Sequence, residues 1–370
     1  MLVPALKRIA SALICVSMLY LRMSSGHAAP PTTPDQRLGL PPLPADARIA
    51  PNHAIVALGK RLFSDRRLSE DGKISCAECH IPESGFTDGR ARSVGHAGAI
   101  GTRNAPSLLN VVYASSLFWD GRASDLESQA LAPLTNPVEH ALRTEDEILD
   151  KVRADTIYTR EFERIFNLRS RQLDVHQVAA ALAAYERTLL AGGSPFDRYQ
   201  YAGDQNALTP AALRGLALFR GRAQCDTCHT IESSSALFTD MQFHMTPLGL
   251  PAQVNESLGK LTVEVVNAVR ENRRRDMEML LATDSQLAAL GRFAVTLDPQ
   301  DIGKFKTPSL RNVALTAPYM HDGSVPTLDE AVEVELYGRT LAQTIPITLT
   351  VTERHDLVEF LRGLTSPLGP

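Results

Sequence analysis

Residues 76 to 80 read CAECH and residues 225 to 229 read CDTCH. No other feature restricts the fold of this 370-residue chain so strongly. In each pentapeptide two thiols three positions apart can add to the two vinyl groups of one porphyrin, while the adjacent imidazole turns under the ring and binds iron. C-x-x-C-H is the attachment pattern of c-type haem. Cys76, Cys79 and His80 form one expected attachment set, Cys225, Cys228 and His229 a second, with His80 and His229 as proximal iron ligands. A four-thiolate zinc site or a disulfide within each pair is the competing reading, but the long separation of the pairs and the His directly after each argue against zinc. A covalently held porphyrin is itself a large apolar body, so the polypeptide core around each motif can be thin.

The fifth cysteine, Cys15, lies in a different context. Lys7 and Arg8 precede an apolar stretch over residues 9 to 21, and small residues follow at 26 to 29. This is the plan of a secretory signal peptide spanning residues 1–29, its apolar run too short to cross a bilayer comfortably. An uncleaved anchor is the alternative. The mature chain is expected in the periplasm, without a membrane partner once the leader is removed. Four cysteines in an exported protein usually suggest two disulfides, and here their placement in the two pentapeptides says otherwise. With 38 basic and 42 acidic residues and a net charge of −4, no concentrated positive surface is available for a nucleic-acid partner.

The chain repeats itself. Each pentapeptide follows an apolar helical signal, HAIVALGKRLF at 53 to 63 and TPAALRGLALF at 209 to 219. Downstream, APSLLNVVYASSLFWDG at 105 to 121 lies without gaps over TPSLRNVALTAPYMHDG at 307 to 323. Self-similarity of this kind implies two related units. Other segments also have helical periodicity: a capping box of Thr144 with Glu147, a helix from Asp174 to a Gly stop at Gly192, and stretches at 261 to 283 and 352 to 364. No alternating run is long enough for a substantial sheet. The expected fold is mainly α, with two cytochrome c-like domains related by internal duplication and one c-type haem each. The domains are expected over 30–200 and 201–370, with a linker or junction near the Gly, Ser and Pro cluster at 192 to 206.

The two units are not equivalent. The overlay sets Trp119, the single tryptophan, against His321, and Asp120 against Asp322. Gln129 follows Trp119 by ten positions and Glu139 follows by ten more. A ten-residue step turns about 280° around a helix, and Pro133 and Pro137 oppose a continuous one, so any convergence of these three side chains must be tertiary. Taken alone, a lone Trp is usually core, a Gln usually surface, and a Glu after Pro-Val usually a solvated loop or helix start.

Together CAECH, GHAGAIGTRNAPSLLN, FWDGRASDLESQALAPLTNPVEH, CDTCH and FKTPSLRNVALTAPYMHDGS resemble the bacterial di-haem cytochrome c peroxidase family, which includes the MauG-like enzymes, over residues 59 to about 364. The resemblance implies a peroxidatic haem in the N-terminal domain and an electron-transfer haem in the C-terminal domain. It implies Glu139 as the distal acid/base, Gln129 as its hydrogen-bonding amide and Trp119 as the indole between the haems. Asn104, with backbone groups of Thr316 and Pro318, matches the family's calcium site. Implied partners are hydrogen peroxide and a small cytochrome c or cupredoxin as electron donor, and the resemblance allows a homodimer.

Two positions bear on the subtype. His96, in SVGHAGAIG, matches a residue that caps the peroxidatic iron in the oxidised enzyme and withdraws on reduction, and a glycine-flanked loop suits such a switch. On the second haem the family uses a distal methionine, or a tyrosine in MauG-like members. Here ungapped alignment puts Glu335 at that place, with Tyr337 two residues away. A carboxylate ligand would favour ferric iron, whereas methionine raises the potential. His321 matches a position near the second haem without an assigned ligand role. The first reading is a periplasmic peroxidase; the alternative is a MauG-like enzyme that oxidises Trp or Tyr residues of a partner protein. A non-catalytic di-haem electron carrier would leave Gln129 and Glu139 without a task.

Overall fold

A computed structural model of the protein describes residues 37–44, 53–246, 248–271, 273–342 and 346–368. The expected leader at 1–29, with Cys15, lies outside the described residues. The helices of two turns or more are α1 (His53–Phe63), α2 (Leu126–Thr135), α3 (Glu145–Arg153), α4 (Thr156–Phe166), α5 (Val175–Glu186), α6 (Pro195–Ala202), α7 (Pro210–Arg220), α8 (Ala252–Arg270), α9 (Arg274–Thr283), α10 (Leu328–Ala342) and α11 (Val351–Arg362). The only sheet among the described residues is an antiparallel pair, β1 (Phe243–Met245) with β2 (Lys304–Lys306), registered with His244 opposite Phe305. The molecule is thus mainly α. No helix among the described residues is long and apolar enough to cross a membrane.

Two helix crossings organise the packing, and glycine sets both. On α1, a Cβ at Gly59 would lie 1.9 Å from the Ala181 carbonyl oxygen of α5; on α7, a Cβ at Gly215 would lie 1.9 Å from the Asp356 carbonyl oxygen of α11. Only a residue without a side chain lets the backbones approach this closely. Around the first crossing Leu58, Leu62, Phe162 and Leu182 bury an apolar core. Around the second, Phe196, Phe219, Phe238 and Phe360 form an edge-to-face cluster. A third cluster joins α8 and α9 through Val254, Leu261, Val265, Met277 and Leu281.

Other contacts recur between the halves. Ser107 and Ser309 each donate a hydroxyl to the carbonyl before a positive-φ Phe, at Gly85 (2.6 Å) and Leu237 (2.7 Å). Asn110 and Asn312, both at positive φ, bridge the backbone of Ala191 and Ser366 with their side-chain amides.

Several sequence expectations need correction. Helix α5 ends at Glu186, before Gly192, because Asn110 takes the next backbone groups: its N–H donates to Leu189 O (2.7 Å) and its amide bonds both polar groups of Ala191. The stretch at 261 to 283 begins earlier, at Ala252, and breaks between Arg270 and Arg274. Thr144 caps α3 by accepting from Glu147 N–H (3.2 Å), but the reciprocal bond is absent, since the Glu147 carboxylate accepts from Arg143 N–H (2.8 Å). Within the cluster at 192 to 206, residues 195–202 form helix α6 in place of the expected linker or junction: Ser194 caps it, Pro195 opens it and Gly203 at φ 74° ends it. Phe196 of α6 sits fully buried in the second aromatic cluster, so a division at 200/201 would cut a helix packed with the second half.

Candidate active site

The CAECH thiols sit on one short helical turn, Cys76–Cys79, whose start is fastened by the Glu78 carboxylate accepting from the Ser75 N–H and hydroxyl. The chain then folds back through the Ile81–Thr87 bridge. This brings the Phe86 carbonyl 2.9 Å from Nδ1 of His80. In the second half Nδ1 of His229 lies 2.9 Å from the Phe238 carbonyl. A carbonyl can only accept, so each imidazole carries its proton on Nδ1 and its lone pair on Nε2, the tautomer a metal-binding histidine needs. Burial, opposed by the Phe86 carbonyl, lowers the pKa of His80 and keeps its ring neutral. None of the four cysteines is in a disulfide. Burial pushes the Cys76 thiol far above its ordinary range and Cys79 to about 11. These residues fit two covalently attached iron porphyrins.

Both pentapeptides open onto one cavity of about 850 Å³, lined mainly by apolar groups and by all six attachment residues. Trp119, Gln129 and Glu139 line it too, so the fold brings together the three positions that no helical periodicity could. Gln129 projects from α2, in the turn before Pro133. Glu139 follows the end of α2, where Asn136 donates its side-chain N–H to Oε1 at 2.6 Å. Burial raises the pKa of Glu139, while Arg122 and the Asn136 bond oppose it. Next to it, His140 is buried, with Nδ1 2.8 Å from the Leu68 carbonyl.

Trp119 is fastened to both halves. Its indole N–H donates to Asn104 O (2.9 Å), Asn104 N–H donates to His321 O (2.9 Å), and the Trp119 carbonyl accepts from Lys306 N–H (2.8 Å). The His321 ring stacks on Phe305 at 3.8 Å, and burial pushes its pKa down to about 4. Beneath Trp119, Asp120 is fully buried between Arg103 (2.6 Å) and Arg122 (3.1 Å). Burial alone would raise this carboxyl, but the two guanidiniums hold it far below the usual carboxylate range. Arg122 also covers the Phe118 ring at 3.4 Å. Burial pushes Lys306 down to about 8, against the pull of Asp120.

The remaining expected residues are distributed differently. His96 does not line the cavity; its Nε2 lies 3.2 Å from Glu70 and its Nδ1 3.7 Å from Asp71, while its backbone N–H meets the Val138 and Glu139 carbonyls. Glu335 lines the cavity from α10, whereas Tyr337 does not and is 64% exposed, as two positions apart on a helix point to opposite sides. Asn104, Thr316 and Pro318 all line the cavity, but the Asn104 amide nitrogen is spent on the Arg90 carbonyl (2.8 Å).

Sequence reasoning missed Asn136, Arg122, Lys306 and Glu186. The last is a buried carboxyl at the end of α5, lining the same cavity, with Oε2 lacking a hydrogen-bond partner. Burial raises it to about 8. A signal for it existed: the overlay of AYERTL (184 to 189) on EFLRGL (359 to 364) sets a Glu against a Leu.

Comparison with known proteins places this geometry. Residues 53–206 match the di-haem cytochrome c peroxidase family. The chain is similar to cytochrome c peroxidase Ccp of Escherichia coli K12, with 35% identity over 93% of this chain and 65% of the relative, so it spans just under two thirds of that protein. It is also similar to the methylamine utilization protein MauG of Methylorubrum extorquens, with 35% identity over 84% of this chain and 77% of the relative. A crystal structure of a MauG-like protein associated with microbial copper homeostasis superposes with a TM-score of 0.69 at 33% identity, covering 89% of this chain and 94% of that one.

Proposed function

The chain belongs to the di-haem cytochrome c peroxidase family, and from that premise we propose that it is an exported enzyme that reduces hydrogen peroxide to water with electrons from a small cytochrome c or cupredoxin. Its two haem units, related by duplication, attach one c-type haem each through Cys76, Cys79 and Cys225, Cys228. The matching Nδ1 bonds of His80 and His229 and the matching glycine crossings support this pairing. The leader at 1–29 supports a periplasmic location.

When bound, the iron porphyrins supply the centre at which peroxide is reduced by two electrons. The chain's part is proton handling and enclosure. Glu139 takes the proton from one peroxide oxygen and returns it to the other, so that water can leave. Its raised pKa brings a carboxylate closer to proton exchange near neutrality, and Asn136 fixes one oxygen so that the other is presented. Gln129 orients peroxide without adding charge. Trp119, bonded to Asn104 and through it to His321, offers a path for charge between the halves. The observation that carries this reading is that Glu139, Gln129 and both attachment sets share one cavity.

A second reading, MauG-like oxidation of Trp or Tyr residues on a partner protein, is favoured by Glu335, which lines the cavity and which ungapped alignment sets at the position where the family's peroxidases carry a methionine. Peroxide added to reduced holo-protein with a small cytochrome c as donor tests the choice. Rapid donor oxidation, lost in Glu139→Gln by a factor of about 10² to 10⁴, supports the peroxidase. No donor turnover, with long-lived oxidised protein, overturns it in favour of the second reading.

A further inference from the structure

Glu186 is a group for which peroxide chemistry at Glu139 has no use. It is the last residue of α5, 5% exposed, and lines the cavity close enough to Cys76 for its charge to raise that thiol's pKa. Its Oε2 has no hydrogen-bond partner. The contacts that recur between the halves put Ala181 over Asp356 and Leu189 over Leu364, which sets Glu186 over Leu361. Leu361 is buried and lines the same cavity. A leucine therefore satisfies the shape of this position, and the carboxyl in the N-terminal half is there at the expense of burying an unsatisfied polar group.

We infer that Glu186 couples proton uptake to electron entry in the N-terminal unit, its carboxylate taking a proton from water when the haem held by Cys76, Cys79 and His80 gains an electron. The electron comes from the external one-electron donor, an O–H bond forms on the carboxylate, and oxidation reverses both. An added negative charge in a poorly screened site favours the protonated form of a nearby carboxyl, and by linkage the proton favours the electron.

The charges felt at Glu186 come from two elements. Arg187 on its own helix opposes the burial effect, and Glu127 on α2 reinforces it; these two are paired to each other at 2.8 Å, so Arg187 is not spent on Glu186. The other packed helices, α1 and α3, add none. Burial leaves the carboxyl near 8, within the range where protons exchange around neutrality.

The inference rests on covalent haem at Cys76 and Cys79 but not on the choice of substrate. Spectroelectrochemical titration of the holo-protein across pH values around 8 reads it directly. In the wild type the N-terminal haem potential should fall with rising pH, by up to about 59 mV per tenfold drop in proton concentration. Lys306 also titrates in this cavity, so the readout is the difference between wild type and Glu186→Gln, whose slope should be lost or reduced. Glu186→Leu, which copies Leu361, makes the same measurement if the Gln variant does not fold. Redox-difference infrared spectra should show a protonated carboxyl band gained on reduction in the wild type and absent in both variants. A colourless protein would sink the haem reading itself. A coloured di-haem protein with the same slope and the same infrared band in wild type and variants overturns the role of Glu186.

Discussion

Asn136 donates its side-chain N–H to Oε1 of Glu139 across 2.6 Å, and the orientation of that amide is determined by Val138, whose backbone N–H donates to Asn136 Oδ1 at 2.9 Å. A flipped amide would set two donors against each other, so the NH₂ must face Glu139. The bond favours the ionised carboxylate against the burial that raises its pKa. Asn136→Leu should therefore leave more of Glu139 protonated at a given pH. The acidic limb of the pH profile of kcat/KM for peroxide is expected to move toward higher pH, with activity on that limb reduced about tenfold. An unchanged limb would show that Asn136 does not hold the acid/base.

Haem attachment is tested by counting. Cys76→Ala with Cys79→Ala should leave one covalent haem in place of two, and Cys225→Ala with Cys228→Ala should leave the other. Mass spectrometry of the exported protein and haem staining give the count. Two haems in either variant would contradict the assignment of the pentapeptides.

Asp120 should be costly to neutralise. Asp120→Asn leaves the partly buried Arg103 and Arg122 without this counter-charge, a loss approaching the ~3–5 kcal/mol of breaking a fully buried pair. The wild-type carboxyl is held below its ordinary value of 3.8, so its contribution is present above that value and lost as pH falls through the depressed one. Thermal unfolding should thus show a gap between wild type and variant that is full at neutral pH and narrows in strong acid.

Glu186 has the opposite sign. Its folded pKa lies near 8 against an ordinary 4.5, so below 4.5 both states are protonated and its contribution is fully present. As pH rises, the unfolded chain releases the proton while the folded one keeps it, and stability is lost through about 8. Calorimetry of Glu186→Leu should show a melting temperature above that of wild type by a margin that grows between these two values. A constant margin would mean that the carboxyl is not held neutral.

The sequence by itself determined the chemistry that could be attached and the elements that carry it. Two C-x-x-C-H motifs specify two porphyrins through local thiol and imidazole spacing, and helices such as 53–63 follow from apolar periodicity, both of them short-range properties. Caps were legible as residue types but not as lengths or partners: Ser194, Pro195 and Gly203 looked like a linker and are the two ends of helix α6. What only the tertiary structure decided was convergence. Trp119, Gln129 and Glu139 meet in one cavity because α2 packs on α5 and the chain returns through Pro133 and Pro137, contacts that no periodicity encodes. The same holds for Glu186: its sequence neighbourhood matches that of Leu361, and its titration moves from 4.5 to about 8 only because the fold encloses it in low-dielectric surroundings with Oε2 unpartnered. Protonation behaviour is a property of the surroundings, and the surroundings are assembled from residues far apart in the chain.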